Sequence, residues 1–151
     1  MARKDAESLL ALGNQLCFAV YSTAHAFNRV YKPLLDRLGL TYPQYLVMLA
    51  LWERDGVPVK DLGERLFLDS GTLTPLLKRL EAAHLLKRTR SREDERQVLV
   101  ALTPQGQALK DKARAVPPAI LAASGCSIGE LTALKKNLVG LRDQLNAAVG
   151  E

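Results

Sequence analysis

Aromatic residues are scarce in this chain of 151 residues and make up only 5% of it. Leucine is abundant instead. Because strands favour aromatic and β-branched side chains whereas leucine favours helices, this balance argues against a sheet-rich sandwich. With 48% hydrophobic and 25% charged residues the chain has the composition of a globular domain. We expect a mainly α-helical fold with its own core.

Cysteine and histidine are also rare. The two cysteines, Cys17 and Cys126, lie far apart in the sequence and do not resemble the disulfide framework of a small secreted domain. Two cysteines and two scattered histidines also lack the spacing of a metal site. The sequence predicts neither a metal nor a cofactor, and each cysteine has to be interpreted alone.

Long apolar segments are missing. The longest unbroken run, Leu46 to Trp52, is far shorter than the roughly 20 residues that cross a bilayer. The opening stretch, MARKDAESLL, carries charges but no apolar segment of the kind found in signal peptides. We therefore expect a cytoplasmic protein without a membrane partner.

Positive charge is in excess, with a net charge of +5. Residues 78–96 hold seven cations against four anions, so much of the excess is concentrated in one short stretch. A concentrated basic patch attracts a polyanion such as DNA, because attraction to phosphate weakens over about 10 Å in salt. A solvated surface is the alternative on charge alone.

Apolar residues recur at helical spacing along most of the chain. One long helix is predicted over residues 7–36, and Gly39 follows its end. A second helix should start near Thr41 or Tyr42 and bury Leu46, Leu49 and Ala50. A short third helix follows Pro58.

The fourth predicted helix begins at Asp69 or Ser70, with its apolar positions every third or fourth residue: Leu73, Leu76, Leu77 and Leu80. Alternating residues over 87–92 and 97–102 predict a β-hairpin around the charged tip REDER. The last helices should cover about 105–123, interrupted at Pro117 and Pro118, and about 128–149.

Three short helices and a hairpin, between long helices with apolar stripes, predict a winged helix-turn-helix in a helical dimerisation scaffold. This is a mainly α fold with a small β-hairpin wing. We assign residues 1–151 to one domain, with about 41–104 as the winged helix and about 7–38 and 105–149 as dimerisation helices. The terminal helices have too little core of their own, so a homodimer is expected.

The recognition helix of such a motif enters the major groove of double-stranded DNA, and its wing can insert an arginine into the minor groove. The threonines near the helix start could instead serve as caps. In the wing, Asp94 is expected to pair with Arg96. The candidate DNA-binding residues are Ser70, Gly71, Thr72, Thr74, Lys78, Arg79, Arg88, Arg90, Arg92, Asp94 and Arg96.

Cys17 lies among apolar residues on a helix, where an inert core thiol is one interpretation. Three tyrosines favour a reactive thiol. Tyr21 follows one turn later, Tyr31 is on the same helix, and Tyr42 begins the next. Phenol hydroxyls can donate hydrogen bonds to a thiolate and stabilise it.

Several stretches of the chain resemble the organic hydroperoxide-sensing (OhrR) branch of the MarR family of repressors. The resemblance runs from about Asn14 to Gly106 and includes the wing pair Asp94 and Arg96. The matching stretches are, in chain order, NQLCFAVYS, YKPLLDRLGLTYPQYLVMLALWE, LFLDSGTLTPLLKRLE and RSREDERQVLVALTPQG. The combination of the first and the third stretch is the most specific part of the resemblance.

The resemblance implies a homodimer that binds an inverted-repeat operator when reduced and represses a peroxide-detoxifying gene. It implies that Cys17 is the thiol sensing organic hydroperoxide, hydrogen-bonded by Tyr31 and Tyr42 of the partner subunit, with Tyr21 as a neighbour. Cys126, in a Gly- and Ser-containing connection, is expected to be a resolving cysteine that forms a disulfide with Cys17 within or between subunits. A loop cysteine of no consequence is the alternative.

Two rival functions remain at the level of sequence. One is a MarR-type regulator that responds to a small phenolic ligand while both cysteines stay passive. The other is a thiol peroxidase using Cys17 as its nucleophile, which would leave the basic hairpin unexplained. We expect a regulator and not an enzyme.

Overall fold

A computed structural model describes the backbone of residues 2–150 and the side chains of residues 6–150. Residues 1 and 151 of the expected single domain lie outside this described part. None of the described helices is long and apolar enough to cross a membrane. The elements in chain order are α1 (Ala2–Leu9), a 3-10 turn (Leu12–Asn14), α2 (Leu16–Asp36), α3 (Tyr42–Glu53), β1 (Val57–Pro58), α4 (Val59–Leu66), α5 (Ser70–Ala82), β2 (Leu86–Arg90), β3 (Val98–Leu102), α6 (Pro104–Ala113), α7 (Val116–Ser124) and α8 (Ile128–Val149).

The winged helix consists of α3, α4 and α5 followed by the hairpin of β2 and β3. The hairpin is antiparallel, with Leu86 opposite Leu102 and Arg90 opposite Val98. The short strand β1 adds to the other side of β3, where Val57 pairs with Val100, and gives a three-stranded sheet in the order β1-β3-β2. The fold class expected from the sequence is confirmed.

The apolar side of the recognition helix α5 forms part of the core of this region, together with residues of α3, α4 and the sheet. Leu73, Leu76, Leu77 and Leu80 are all buried, as their spacing predicts. Val100 of the central strand is fully buried as well. Burying a leucine side chain is worth about 1.5–3 kcal/mol, so this stripe fixes which side of α5 faces outward.

The predicted long helix over residues 7–36 is wrong in its first part, because the chain breaks between α1 and α2. The side-chain amide of Asn14 donates a hydrogen bond to the Ser8 carbonyl oxygen at 2.7 Å, and that of Gln15 donates one to the Leu9 carbonyl oxygen at 2.6 Å. These side chains take up carbonyls that a continuing helix would bond through its backbone. Gly39, with φ of +70°, lies in the turn that follows α2.

The predicted inner face of α3, with Leu46, Leu49 and Ala50, is wrong at Leu49, whereas Ala50 is buried as predicted and Leu46 is half-buried. Leu49 is 38% exposed, whereas the neighbouring Val47 and Met48 are fully buried. Burial of adjacent residues means that α3 is enclosed on several sides, so it has no single apolar stripe. Its start is as predicted: the Thr41 hydroxyl accepts from the Gln44 backbone N–H, and the Gln44 side chain accepts from the Thr41 N–H.

The interruption between the last helices lies slightly earlier than predicted. It falls at residues 114–115, and Pro117 and Pro118 lie inside the first turn of α7. Proline is tolerated there because the first N–H groups of a helix have no intrahelical acceptor. The final helix has the bounds that its sequence predicts, from Ile128 to Val149.

The chain divides into two compact units, one ending at Arg114 and one beginning at Ala115. In the second unit α8 has no buried residue. Leu134 and Leu138 of its apolar stripe are 52% and 42% exposed. In the first unit Leu16, Phe18 and Val20 of α2 are exposed too.

Candidate DNA interface and redox site

The start of α5 is capped by Asp69. Its carboxylate accepts a hydrogen bond from the Thr72 backbone N–H at 2.7 Å, which is the largest cause of the lowered pKa of Asp69. Pro75 lies within α5 without ending it. The candidate contacts on this helix are placed as follows: Ser70, Gly71, Thr72, Lys78 and Arg79 are exposed, and Thr74 is half-buried.

The hairpin arginines do not all point to solvent. Arg88 is half-buried, and its backbone N–H donates to Glu81 Oε2 at 2.7 Å while its Nη2 lies 3.4 Å from Glu81 Oε1. The hydrogen bond from this backbone N–H, followed by that from the guanidinium, lowers the pKa of Glu81. Arg90 Nη1 donates to the Glu95 carbonyl oxygen at 3.0 Å. Arg92 is exposed.

The wing tip is organised by a serine that the sequence analysis did not single out. Ser91 is 8% exposed, and its hydroxyl oxygen accepts from the backbone N–H groups of Glu93 and Asp94. Asp94 Oδ1 in turn accepts from the Arg96 backbone N–H at 3.1 Å and lies 3.5 Å from Arg96 Nε. The Arg96 side chain is 94% exposed. The structure thus contains the expected Asp94–Arg96 pair and presents a cation outward.

Cys17 lies in the first turn of α2, directly after Leu16. It is an exposed, free thiol. Tyr21 is one turn further on, and its ring packs edge-on against His25 with a centroid distance of 4.4 Å. The first turn of a helix carries free backbone N–H groups and the positive end of the helix dipole, both of which favour an anion.

The tyrosines expected near the thiol form a separate cluster. The ring centroids of Tyr31 and Tyr42 are 4.8 Å apart, and Tyr45, which the sequence analysis did not single out, lies 5.9 Å from Tyr31. Burial, followed by the proximity of Tyr42 and Tyr45, raises the pKa of Tyr31 to about 12. The Tyr31 hydroxyl therefore keeps its proton at neutral pH and can donate a hydrogen bond.

One chain does not bring Cys17 to this cluster. Tyr31 is fourteen residues beyond Cys17 on the same continuous helix α2. At a rise of 1.5 Å per residue the two positions are about 21 Å apart along the helix axis, far beyond hydrogen-bond reach. Any contact between the Tyr31 hydroxyl and a Cys17 thiol has to involve two chains.

The tyrosine cluster borders a groove of about 360 Å³. Tyr31 and Tyr42 line it together with Asn28, Leu35 and Thr41. The groove lies between the second half of α2 and the start of α3, so it could receive a side chain or a small molecule.

Cys126 lies in the second unit, between α7 and α8. Its backbone N–H donates to the Ser124 hydroxyl at 3.1 Å, and its thiol lies 3.5 Å from the Ser124 carbonyl oxygen, to which it donates. It is half-buried and free. Within residues 2–150 no group of three or more potential ligands could hold a metal ion.

A short helical motif, a hairpin wing and an outward polar face on the recognition helix define a winged-helix DNA-binding protein. Residues 29–113 match the family described as transcriptional regulator SarA/Rot. The chain belongs to the MarR-type transcriptional regulators, and among them to the organic hydroperoxide resistance (OhrR) type. The resemblance noted from the sequence is confirmed.

Two relatives support this membership. The HTH-type transcriptional regulator TtmR of Methylorubrum extorquens is 51% identical over 150 residues, covering 99% of this chain and 77% of that protein. The organic hydroperoxide resistance transcriptional regulator of Bacillus subtilis is 50% identical over 137 residues, covering 91% and 93%. Both are named as transcriptional regulators, which is a non-enzymatic role.

A solved relative adds a DNA complex. Reduced AbfR of Staphylococcus epidermidis bound to DNA is 37% identical, with a TM-score of 0.76 over 94% of this chain and 99% of that chain. The disulfide form of AbfR is 38% identical, with a TM-score of 0.63 over 93% and 98%. AbfR is thus known both on DNA and in a disulfide state.

Proposed function

We propose that this protein is a peroxide-responsive repressor whose reduced homodimer binds an inverted-repeat operator and releases it after oxidation of Cys17. The observation that carries the proposal is the placement of Cys17 as an exposed thiol in the first turn of α2. The high identity to a regulator named for organic hydroperoxide resistance supports peroxide as the signal.

The homodimer is supported by apolar side chains that the described part of one chain leaves exposed. They occur on α2, at Leu16, Phe18 and Val20, and on α8, at Leu134 and Leu138. Water contact with such stripes is unfavourable, and a second copy of the chain would cover them. A two-fold dimer presents two recognition helices, so its operator is an inverted repeat with half-sites about one helical turn apart.

DNA contact is proposed for the outward side of α5 and for the wing. Near the start of α5, Gly71, Thr72 and Thr74 would meet base edges, while Lys78 and Arg79 would neutralise phosphates. In the wing, Arg96, oriented by Asp94, would enter the minor groove.

The proposed signal is a two-electron oxidation. The Cys17 thiolate attacks the terminal oxygen of the organic hydroperoxide, an S–O bond forms, and the O–O bond breaks. The sulfur becomes a sulfenic acid, and the alkoxide takes a proton and leaves as an alcohol. Tyr31 and Tyr42 of the partner subunit would stabilise the attacking thiolate by donating hydrogen bonds.

Cys126 is proposed as the resolving cysteine. Its thiolate attacks the sulfur of the Cys17 sulfenic acid, a disulfide forms, and hydroxide leaves as water after taking a proton. We propose that the bond joins two subunits. The disulfide would hold the recognition helices away from the spacing of the operator half-sites.

The decisive experiment is a DNA titration with reduced protein, repeated after one equivalent of cumene hydroperoxide. Wild type should bind and then release the DNA, and Cys17→Ser should bind and not release it. Cys126→Ser should form no covalent dimer on a non-reducing gel, whereas wild type should. Release of DNA by Cys17→Ser after peroxide treatment would refute the sensor assignment.

The groove beside Tyr31 and Tyr42 favours a second candidate, a regulator that binds a small phenolic ligand. The same DNA titration, repeated with salicylate in place of the hydroperoxide, distinguishes this ligand-binding regulator from the peroxide-responsive repressor. Release by salicylate, with no response to hydroperoxide, would select the ligand-binding function.

A further inference from the structure

Two of the hairpin arginines bind groups of the protein itself. Arg88 contacts the Glu81 carboxylate through its backbone N–H and its guanidinium, and Arg90 donates to the Glu95 carbonyl oxygen. Glu81 lies in the last turn of α5, and Glu95 lies in the wing tip. The two arginines therefore connect strand β2 to the recognition helix at one end and to the tip at the other.

The sheet register places Arg88 and Arg90 on the same face of the hairpin, where Arg88 is half-buried and Arg90 is exposed. Arg88 is directly opposite Val100, which is fully buried. Side chains two residues apart on a strand share a face, so Arg90 lies on the same side as Arg88, and Lys87 lies on the other. The Arg88 side chain is only 25% exposed, compared with 94% for Arg96.

Arg88 could reach a DNA phosphate only by leaving this position. Its side chain lies on the face of the sheet that carries Val100, and within the described residues its Nε is buried without a hydrogen-bond partner. Turning the side chain outward would break the contact of the guanidinium with Glu81 and leave only the hydrogen bond from the Arg88 backbone N–H. The Glu81 carboxylate also neutralises the charge of Arg88, so the pair presents little net charge to DNA.

We propose that Glu81, Arg88 and Arg90 are positioning residues that set the direction of the wing relative to the recognition helix, and that they do not bind DNA. The tie from Glu81 to Arg88 fixes β2 against α5. The tie from Arg90 to the Glu95 carbonyl fixes the tip beside Arg96. Together they hold the major-groove helix and the minor-groove arginine in one geometry. This inference rests on the proposed entry of Arg96 into the minor groove.

The test compares Arg88→Met with Arg92→Met, because Arg92 is an exposed cation four residues further along the chain. The probe is a duplex selected from a random pool by reduced wild-type protein, and an unrelated duplex serves as the non-specific control. Affinity is measured over a range of salt concentrations. A phosphate contact contributes about 0.9 to the slope of log K against log salt concentration, or about 1.8 when both subunits lose it.

Arg92→Met should weaken binding to both duplexes and reduce the slope. Arg88→Met should weaken binding to the selected duplex by about 2- to 30-fold, as expected for a change that acts through positioning. Its slope and its affinity for the unrelated duplex should stay as in wild type. A slope reduced by about 1.8 in Arg88→Met would show a phosphate contact and overturn the inference.

Glu81→Gln gives an independent variant that leaves Arg88 in place should Arg88→Met fail to fold. It should also weaken binding to the selected duplex without a change in slope. Unchanged or tighter binding would show that Glu81 only repels DNA, and the inference would fall. If wild type itself selects no duplex, the proposed function fails, which is distinct from a failure of these variants alone.

Discussion

Gly106 occupies a point where three parts of the winged helix meet. An added Cβ would lie 1.9 Å from the Leu85 carbonyl oxygen, and the Gly106 carbonyl oxygen accepts a hydrogen bond from Trp52 Nε1 at 2.9 Å. The N-terminal cap of α6, Thr103, also donates to the His84 carbonyl oxygen at 2.6 Å. The start of α6 is therefore joined to α3 and to the turn before β2.

Gly106→Ala should destabilise the protein by more than about 3 kcal/mol, because the clash is with backbone that cannot move aside. Urea unfolding measures the loss. Gly129→Ala is the matched control, since the nearest atom to an added Cβ there is the Ser127 hydroxyl at 3.9 Å, and its stability should be unchanged or slightly higher. Equal stability of the two variants would contradict the packing described at Gly106.

Tyr31 should make stability depend on pH in the alkaline range. Its pKa is about 12 in the folded chain and about 10 when unfolded. The stability associated with the protonated hydroxyl is complete below pH 10 and is lost as pH rises from 10 towards 12. Urea midpoints measured across this window should fall less steeply for Tyr31→Phe. An identical fall in both proteins would show that other groups cause it.

At the scale of elements, the wing gives a test in which charge and geometry oppose each other. Asp94→Ala removes a negative charge that would repel phosphate, yet it also removes the acceptor for the Arg96 backbone N–H. We expect DNA binding to weaken roughly tenfold, the equivalent of one charge-assisted hydrogen bond. Asp94→Asn keeps a hydrogen-bond acceptor without the charge, so its affinity for DNA should lie between those of wild type and Asp94→Ala. Tighter binding by Asp94→Ala would mean that Asp94 only repels DNA.

Elements whose ends are set by local signals could be predicted from the sequence. The bounds of α8 follow from Ser127, which caps its first turn, and from its regular leucine stripe. The buried side of α5 follows from leucine spacing alone. Strand β1 could not be predicted, because its two residues become a strand only through pairing with β3. The break before α2 depends on side-chain hydrogen bonds of Asn14 and Gln15, which periodicity does not record.

The residues of the candidate site also fall into those that the sequence reveals and those that only the structure reveals. Cys17 and the outward polar residues of α5 are visible in the sequence because their chemistry and spacing are local. The link between Glu81 and Arg88 depends on how the end of α5 meets β2. Tyr45 was missed because its role depends on two neighbouring rings, one of them on another helix.

At the scale of the whole molecule, the exposed apolar stripes on α2 and α8 should produce a dimer. Light scattering of the reduced protein at micromolar concentration should give twice the chain mass of 16.6 kDa. Leu134→Lys together with Leu138→Lys should shift the mass towards the monomer, because a buried charge is unfavourable at an apolar interface. Lys135→Glu with Lys136→Glu, at neighbouring exposed positions, is the matched control. A wild-type monomer would refute the dimer.

The distance of about 21 Å along α2 between Cys17 and Tyr31 has a consequence for dimers made of two different chains. If each sensor takes its thiol from one chain and its phenol from the other, two defective chains should complement each other within one dimer. In a mixed dimer of Cys17→Ser and Tyr31→Phe chains, one site combines both lesions, and the other joins an intact Cys17 to an intact Tyr31. The mixed dimer, purified through a different affinity tag on each chain, should regain part of the peroxide response that neither variant homodimer supports fully. Were the phenol supplied within its own chain, no site in the mixed dimer would be whole, and the two chains would fail to complement.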